Sequence, residues 1–77
     1  MPAASRILVV DDDPALAESF QLLLQSTWEV LTAGTGLEAL DSFTRTPPDL
    51  VLLDQRLPDI SGMTILRLMR QMSPTIP

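Results

Sequence analysis

Ile7-Leu8-Val9-Val10-Asp11-Asp12-Asp13-Pro14 is the stretch that decides the fold. Four apolar residues in a row, with no polar alternation, suit a strand covered on both faces, as in a parallel sheet between helices. The aspartates end that run. Asp13-Pro14 is a helix start, an N-cap acid followed by proline at the first helical position.

A second run of the same kind, Leu50-Val51-Leu52-Leu53, ends at Asp54. Between the two, Trp28 to Ala33 (W-E-V-L-T-A) reads as a third strand, less apolar and therefore nearer an edge. After Asp13, Leu16, Phe20, Leu23, Leu24 and Thr27 recur at helical spacing, with Glu18, Gln21 and Gln25 opposite. Thr35-Gly36 opens a second helix with Leu37, Leu40 and Phe43 inward, closed by Pro47-Pro48. A third helix is expected from Gly62 to Gln71, stopped by Ser73-Pro74. Trp28 has no aromatic or basic neighbours for nucleic-acid stacking and reads as a partly buried hydrophobe. The order β-α-β-α-β-α, with short joints and no linker, predicts one small domain over residues 1–77. Its class is α/β, a parallel sheet with right-handed crossovers.

Composition narrows the function. The chain has 77 residues, 10 acidic and 5 basic, and a net charge of −5, which argues against binding a nucleic-acid backbone. It has no cysteine and no histidine, which excludes disulfide scaffolds, zinc sites, thiol chemistry and imidazole catalysis. A 77-residue chain buries only about 60% of its unfolded surface, so little stability is in reserve. The apolar run after Met1 to Ser5 is too short for a signal-peptide core, and no run approaches the ~20 residues of a membrane span. The expected location is the cytoplasm.

In a doubly wound sheet of order 2-1-3, the first and third strands are neighbours about 4.8 Å apart. Their C-terminal ends then bring Asp54 to Asp11 and Asp12, in the crevice where such sheets bind ligands. Three converging carboxylates repel. A hard dication such as Mg²⁺, held by carboxylates and waters, relieves that repulsion and leaves room for phosphate oxygens. Asp13 reads as a plain N-cap rather than a ligand. Gly34 and Gly36 form only A-G-T-G, which is no dinucleotide fingerprint. In Asp54-Gln55-Arg56-Leu57-Pro58-Asp59-Ile60-Ser61-Gly62, Pro58 fixes a turn and Gly62 is expected at a positive φ entering the third helix.

R-I-L-V-V-D-D-D, V-L-T-A-G-T-G-L-E-A-L and P-D-L-V-L-L-D-Q-R-L-P-D-I-S-G-M together resemble the receiver domain of two-component response regulators, without a gap from Arg6 to Pro77. The resemblance implies a flavodoxin-like fold and a phosphoacceptor module of a His-to-Asp phosphorelay rather than an enzyme. Asp54 would accept the phosphoryl group from a histidine kinase or phosphotransfer protein. Asp11, Asp12, Asp54 and the backbone carbonyl of Arg56 would hold Mg²⁺, which orients and neutralises the phosphoryl oxygens.

The departures from the family carry expectations too. Receivers have five βα units, and the resemblance here covers three. The family's switch Ser/Thr and aromatic residue are not matched, and these 77 residues contain no lysine to contact a phosphoryl group. A truncated, signalling-defective receiver follows. Its third strand is expected to pair with that of a second copy, a homodimer with sheet order 2-1-3-3′-1′-2′. One alternative is a self-associating α/β fragment without signalling activity. Another is a haloacid-dehalogenase-type phosphatase with Asp11 as nucleophile and Asp13 as acid. That D-x-D pattern usually continues to Thr or Val where this chain has Pro14 or Ala15, and it leaves Asp54 unexplained.

Overall fold

A computed structural model of the chain describes residues 5–54 and 57–72. The elements run β1 (Ser5–Val10), α1 (Pro14–Leu24), β2 (Trp28–Ala33), α2 (Gly36–Arg45), β3 (Leu50–Leu53) and α3 (Gly62–Met72). All three strands are parallel in the order β2-β1-β3, with Val10 level with Ala33 on one side and Leu53 on the other. The expected architecture is therefore present, and the least apolar strand is at an edge.

Being central, β1 buries Ile7, Leu8, Val9 and Val10 almost completely, which explains its unbroken apolar run. Leu8 and Val10 join Ala33, Ala39, Phe43, Ile65 and Met69 in one core between the sheet and the helices α2 and α3. Both helices bury seams with the same spacing, Gly36-Ala39-Phe43 and Gly62-Ile65-Met69. Small residues open each seam, so the helix starts pack close.

Three details depart from the expected pattern. Leu37 is 64% exposed, because Ala39 rather than Leu37 lies on the α2 seam. On α1, Leu16 and Leu23 are 47% and 75% exposed and Thr27 is exposed beyond the helix, while Ala17 is buried. The small Ala17 makes the close contact, and Leu16 and Phe20 lie aside, lining a groove of about 440 Å³ with Val9 and Leu52. Among the described residues no helix covers that groove. Finally, no glycine has a positive φ, so Gly62, buried at the start of α3, enters the helix without the left-handed backbone expected of it. The Ser73-Pro74 stop lies outside the described residues.

Away from the site, Arg6 ties the strand starts together. Its amide donates to Asp49 Oδ2 at 2.7 Å, its carbonyl accepts from Asp49 N at 2.8 Å, and its guanidinium reaches Pro47 O at 3.0 Å and pairs with Glu29 at 3.3 Å. No described helix is long and apolar enough to cross a membrane.

Candidate metal and phosphoacceptor site

Parallel pairing brings the acids together at the C-terminal edge of the sheet. The Asp11 amide donates to Ala33 O and the Asp54 amide to Val10 O, both at 3.0 Å, so each aspartate is the first residue beyond its strand. Asp11, Asp12 and Asp54 each offer a carboxylate oxygen, and these oxygens lie within 4.8 Å of one another. Asp11 and Asp54 are half-buried and Asp12 is exposed. At about 4 Å each like-charge pair costs about 1 kcal/mol in water and about 4 kcal/mol at the lower effective dielectric near a protein surface.

Neighbouring bonds fix the cluster's shape. Asp11 Oδ1 accepts from the Asp13 amide at 2.9 Å, turning the chain sharply into α1. Asp13 caps that helix as its sequence indicates: Oδ1 accepts from Ala15 N at 2.9 Å and Leu16 N at 3.4 Å, with Pro14 in the first turn. Asp13 is thus engaged with α1 and is not one of the three clustered carboxylates. The Arg56 carbonyl, expected as a further ligand, lies outside the described residues.

All-oxygen, negatively charged and partly open, the donor set suits a hard dication with several retained waters. A groove beside it, lined by Asp11, Asp12, Pro14, Glu18, Thr32 and Gly34, leaves the outer side of the cluster open.

Two further contacts were missed in the sequence, the first of them signalled by the Thr35-x-x-Glu38 capping-box spacing. Glu38 Oε2 accepts from the Gly34 amide at 3.0 Å, closing the β2–α2 turn. The Asp59 carboxylate accepts from Gly36 N at 2.7 Å and Leu37 N at 3.0 Å, the first two amides of α2. The Gly36 amide pulls the Asp59 carboxyl below its usual value of 3.8, desolvation opposes this, and the Leu37 amide adds to the lowering.

Residues 7–77 match the family model for the response regulator receiver domain. Among curated relatives, a probable transcriptional regulatory protein of Mycobacterium tuberculosis, TcrX, is 43% identical over 72 residues, covering 92% of this chain and 31% of that protein. The DNA-binding response regulator MtrA of Mycolicibacterium smegmatis is 44% identical over 66 residues, covering 84% of this chain and 29% of that one. The chain therefore spans less than a third of either relative. Of solved structures, the Vibrio cholerae chemotaxis protein CheY4 superposes with a TM-score of 0.93 at 28% identity, covering 97% of this chain and 65% of that one. The response regulator TrrA of Thermotoga maritima, solved in complex with Mg²⁺-BeF, gives 0.86 at 41% identity, with 91% and 62% covered.

Proposed function

Because this chain belongs to the response regulator receiver domain family, we propose that it is the phosphoacceptor part of a His-to-Asp phosphorelay, with Asp54 as acceptor. Asp11, Asp12 and Asp54, with the Arg56 carbonyl, are the proposed Mg²⁺ ligands. The observation that carries the reading is the convergence of those three carboxylates within 4.8 Å at the ends of adjacent strands.

In the transfer, an Asp54 oxygen attacks the phosphorus of a phosphohistidine. The P–O bond forms as the P–N bond breaks, and the imidazole leaves with a proton. Bound Mg²⁺ supplies positive charge to the phosphoryl oxygens. The Asp54 amide on Val10 O holds the acceptor at the sheet edge, and Asp11 is held by its own bonds to Ala33 and Asp13. Such a domain is a phosphorylated partner of a histidine kinase or phosphotransfer protein in the cytoplasm, rather than an enzyme with its own substrate.

Taken alone, these 77 residues lack a lysine to neutralise the added phosphoryl charge, so acceptance is expected to be slow and without a conformational response. Loss of one preorganised donor typically costs about 10²–10³ in rate. The chain alone is also expected to self-associate. Among the described strands β3 pairs only with β1, which leaves its other edge without a strand, and the apolar groove of Val9, Leu16, Phe20 and Leu52 opens on the α1 face of the same two strands.

The test is a Mg²⁺ titration followed by amide NMR, then incubation with a small phosphodonor and intact mass spectrometry. Shifts at Asp11, Asp12 and Asp54, and a Mg²⁺-dependent phosphoryl adduct absent from Asp54→Asn, are expected. No shift at these amides up to tens of millimolar Mg²⁺, or an adduct that survives Asp54→Asn, overturns the reading.

A further inference from the structure

Asp59 does not serve the helix that follows it. Ser61 does that, its hydroxyl accepting from the Thr64 amide at 3.2 Å and bonding the Thr64 hydroxyl at 2.9 Å. The Asp59 carboxylate instead crosses to α2, where it takes the amides of Gly36 and Leu37. Thr35 Oγ1 takes the next amide, Glu38 N, at 3.1 Å. Two of the three first-turn donors of α2 are thus satisfied from the β3–α3 joint.

The Gly36 position shows how closely the two parts fit. A Cβ there would lie 2.8 Å from Ile65 Cδ1, 3.2 Å from Asp59 Oδ1 and 3.2 Å from Ile60 Cβ. A side chain at this position would press on the carboxylate and, more closely, on Ile65.

These bonds connect the two sides of the acid cluster. Asp11 is bonded to Ala33 at the end of β2, and Glu38 in α2 closes the turn that follows on Gly34. Asp59 then joins α2 to residues 57–61, which precede α3, and the Asp54 amide returns to Val10 in β1.

We propose that Asp59 is a positioning residue for the acid pocket, holding the joint after Asp54 against α2 so that Asp54 is set relative to Asp11 and Asp12 before a cation arrives. This rests on the Mg²⁺ site proposed above and adds a residue that touches neither cation nor phosphoryl group. Without the bond, backbone freedom regained in the joint has to be lost again on binding, which weakens affinity. Outer partners of metal sites typically contribute about 10–100-fold in affinity, and the lower end suits a residue acting through the backbone.

The experiment compares Mg²⁺ affinity of the 77-residue chain, Asp59→Ala and Asp59→Asn, read from the amide shifts of Asp11 and Asp12, with strand amide dispersion as the check on folding. About tenfold weaker binding is expected for Asp59→Ala. Asp59→Asn keeps one acceptor oxygen for Gly36 but faces the Leu37 amide with a donor, so its affinity should fall between the two. A folded Asp59→Ala with unchanged affinity overturns the proposal, and so does an unfolded Asp59→Ala beside a folded Asp59→Asn with unchanged affinity. Unfolding of both variants also overturns it, since Asp59 is then needed for the fold alone. A silent titration of the unsubstituted chain overturns the Mg²⁺ site as well, which separates the two failures.

Discussion

Gly36→Ala is the sharpest probe of how the site is held. The backbone is not the obstacle, because no glycine here has a positive φ and Gly36 is the first residue of α2. On conformational grounds alone, alanine would stabilise by about 0.4–1 kcal/mol. Packing opposes this. The new Cβ meets Ile65 Cδ1 at 2.8 Å, against about 3.5–4.0 Å for a favourable carbon contact. Ile65 Cδ1 is the far end of a side chain, but Ile65 is 0% exposed within the core, so any shift is made against neighbouring core side chains. Overpacking of this kind costs about 1–3 kcal/mol. The net runs from near zero to a loss of about 2–3 kcal/mol, and with a slope near 1 kcal/mol/M the urea midpoint should fall by up to about 2–3 M. Trp28 fluorescence would follow the unfolding. Ile65→Val removes the clashing methyl and alone costs about 0.5–1.5 kcal/mol. In the Gly36→Ala/Ile65→Val double variant the losses should therefore not add, with a favourable coupling of about 1 kcal/mol. A Gly36→Ala that stabilises by the full conformational gain, or strictly additive effects in the double variant, would refute the close-packing argument.

Asp13→Ala should destabilise by about 1 kcal/mol through loss of the α1 cap while leaving Mg²⁺-induced shifts at Asp11 and Asp54 in place; denaturation and titration of the same sample check both. The lowered Asp59 carboxyl stabilises the fold fully above its unfolded value of 3.8, and that contribution disappears as pH falls through the lower folded value. Asp59→Ala should thus be the weaker fold at neutral pH and converge on the parent in acid, as seen by urea titrations across that range. Asp12→Asn should stabilise the Mg²⁺-free chain by up to about 1 kcal/mol at low salt, repulsion from Asp11 and Asp54 being partly offset by the α1 dipole. Added salt should shrink the gain, and no gain at low ionic strength would count against a repulsive cluster. Leu52→Lys, at the exposed flank of β3, should shift light scattering from dimer toward monomer mass. A well-folded parent monomer at high micromolar concentration would end that expectation.

The central strand was legible because burial on both faces leaves a direct mark, an unbroken apolar run closed by acid, whereas β3 carries the same kind of run at a sheet edge with none of its residues fully buried. The Asp13 cap was legible for a local reason, a carboxylate two and three residues from the amides it accepts. Which face of each helix packs was harder to read. Leu16, Leu23 and Leu37 look like core by type, but on α1 the buried residue is Ala17 and on α2 Gly36 and Ala39 are buried beside Phe43, and such small side chains say little in a hydrophobic pattern. Gly62 differs in another way, since the backbone freedom expected there is not used and its φ is not positive.

The acid cluster sits between these extremes. Neither Asp11-Asp12 nor Asp54 says anything about the other along the chain; only the order β2-β1-β3 makes them neighbours. Once that order is known the convergence is forced, because parallel strands put all their C-terminal ends on one edge and each acid follows its strand directly. The Asp59 contact is not forced in that way. It spans more than twenty residues, from a loop to a helix start, and depends on a glycine being at the point of closest approach. Periodicity cannot encode such a bond, and a capping motif describes only the first turn's own neighbours. The residues that present charge to a ligand are therefore read from topology, and the residue that holds them steady is found only in the folded chain.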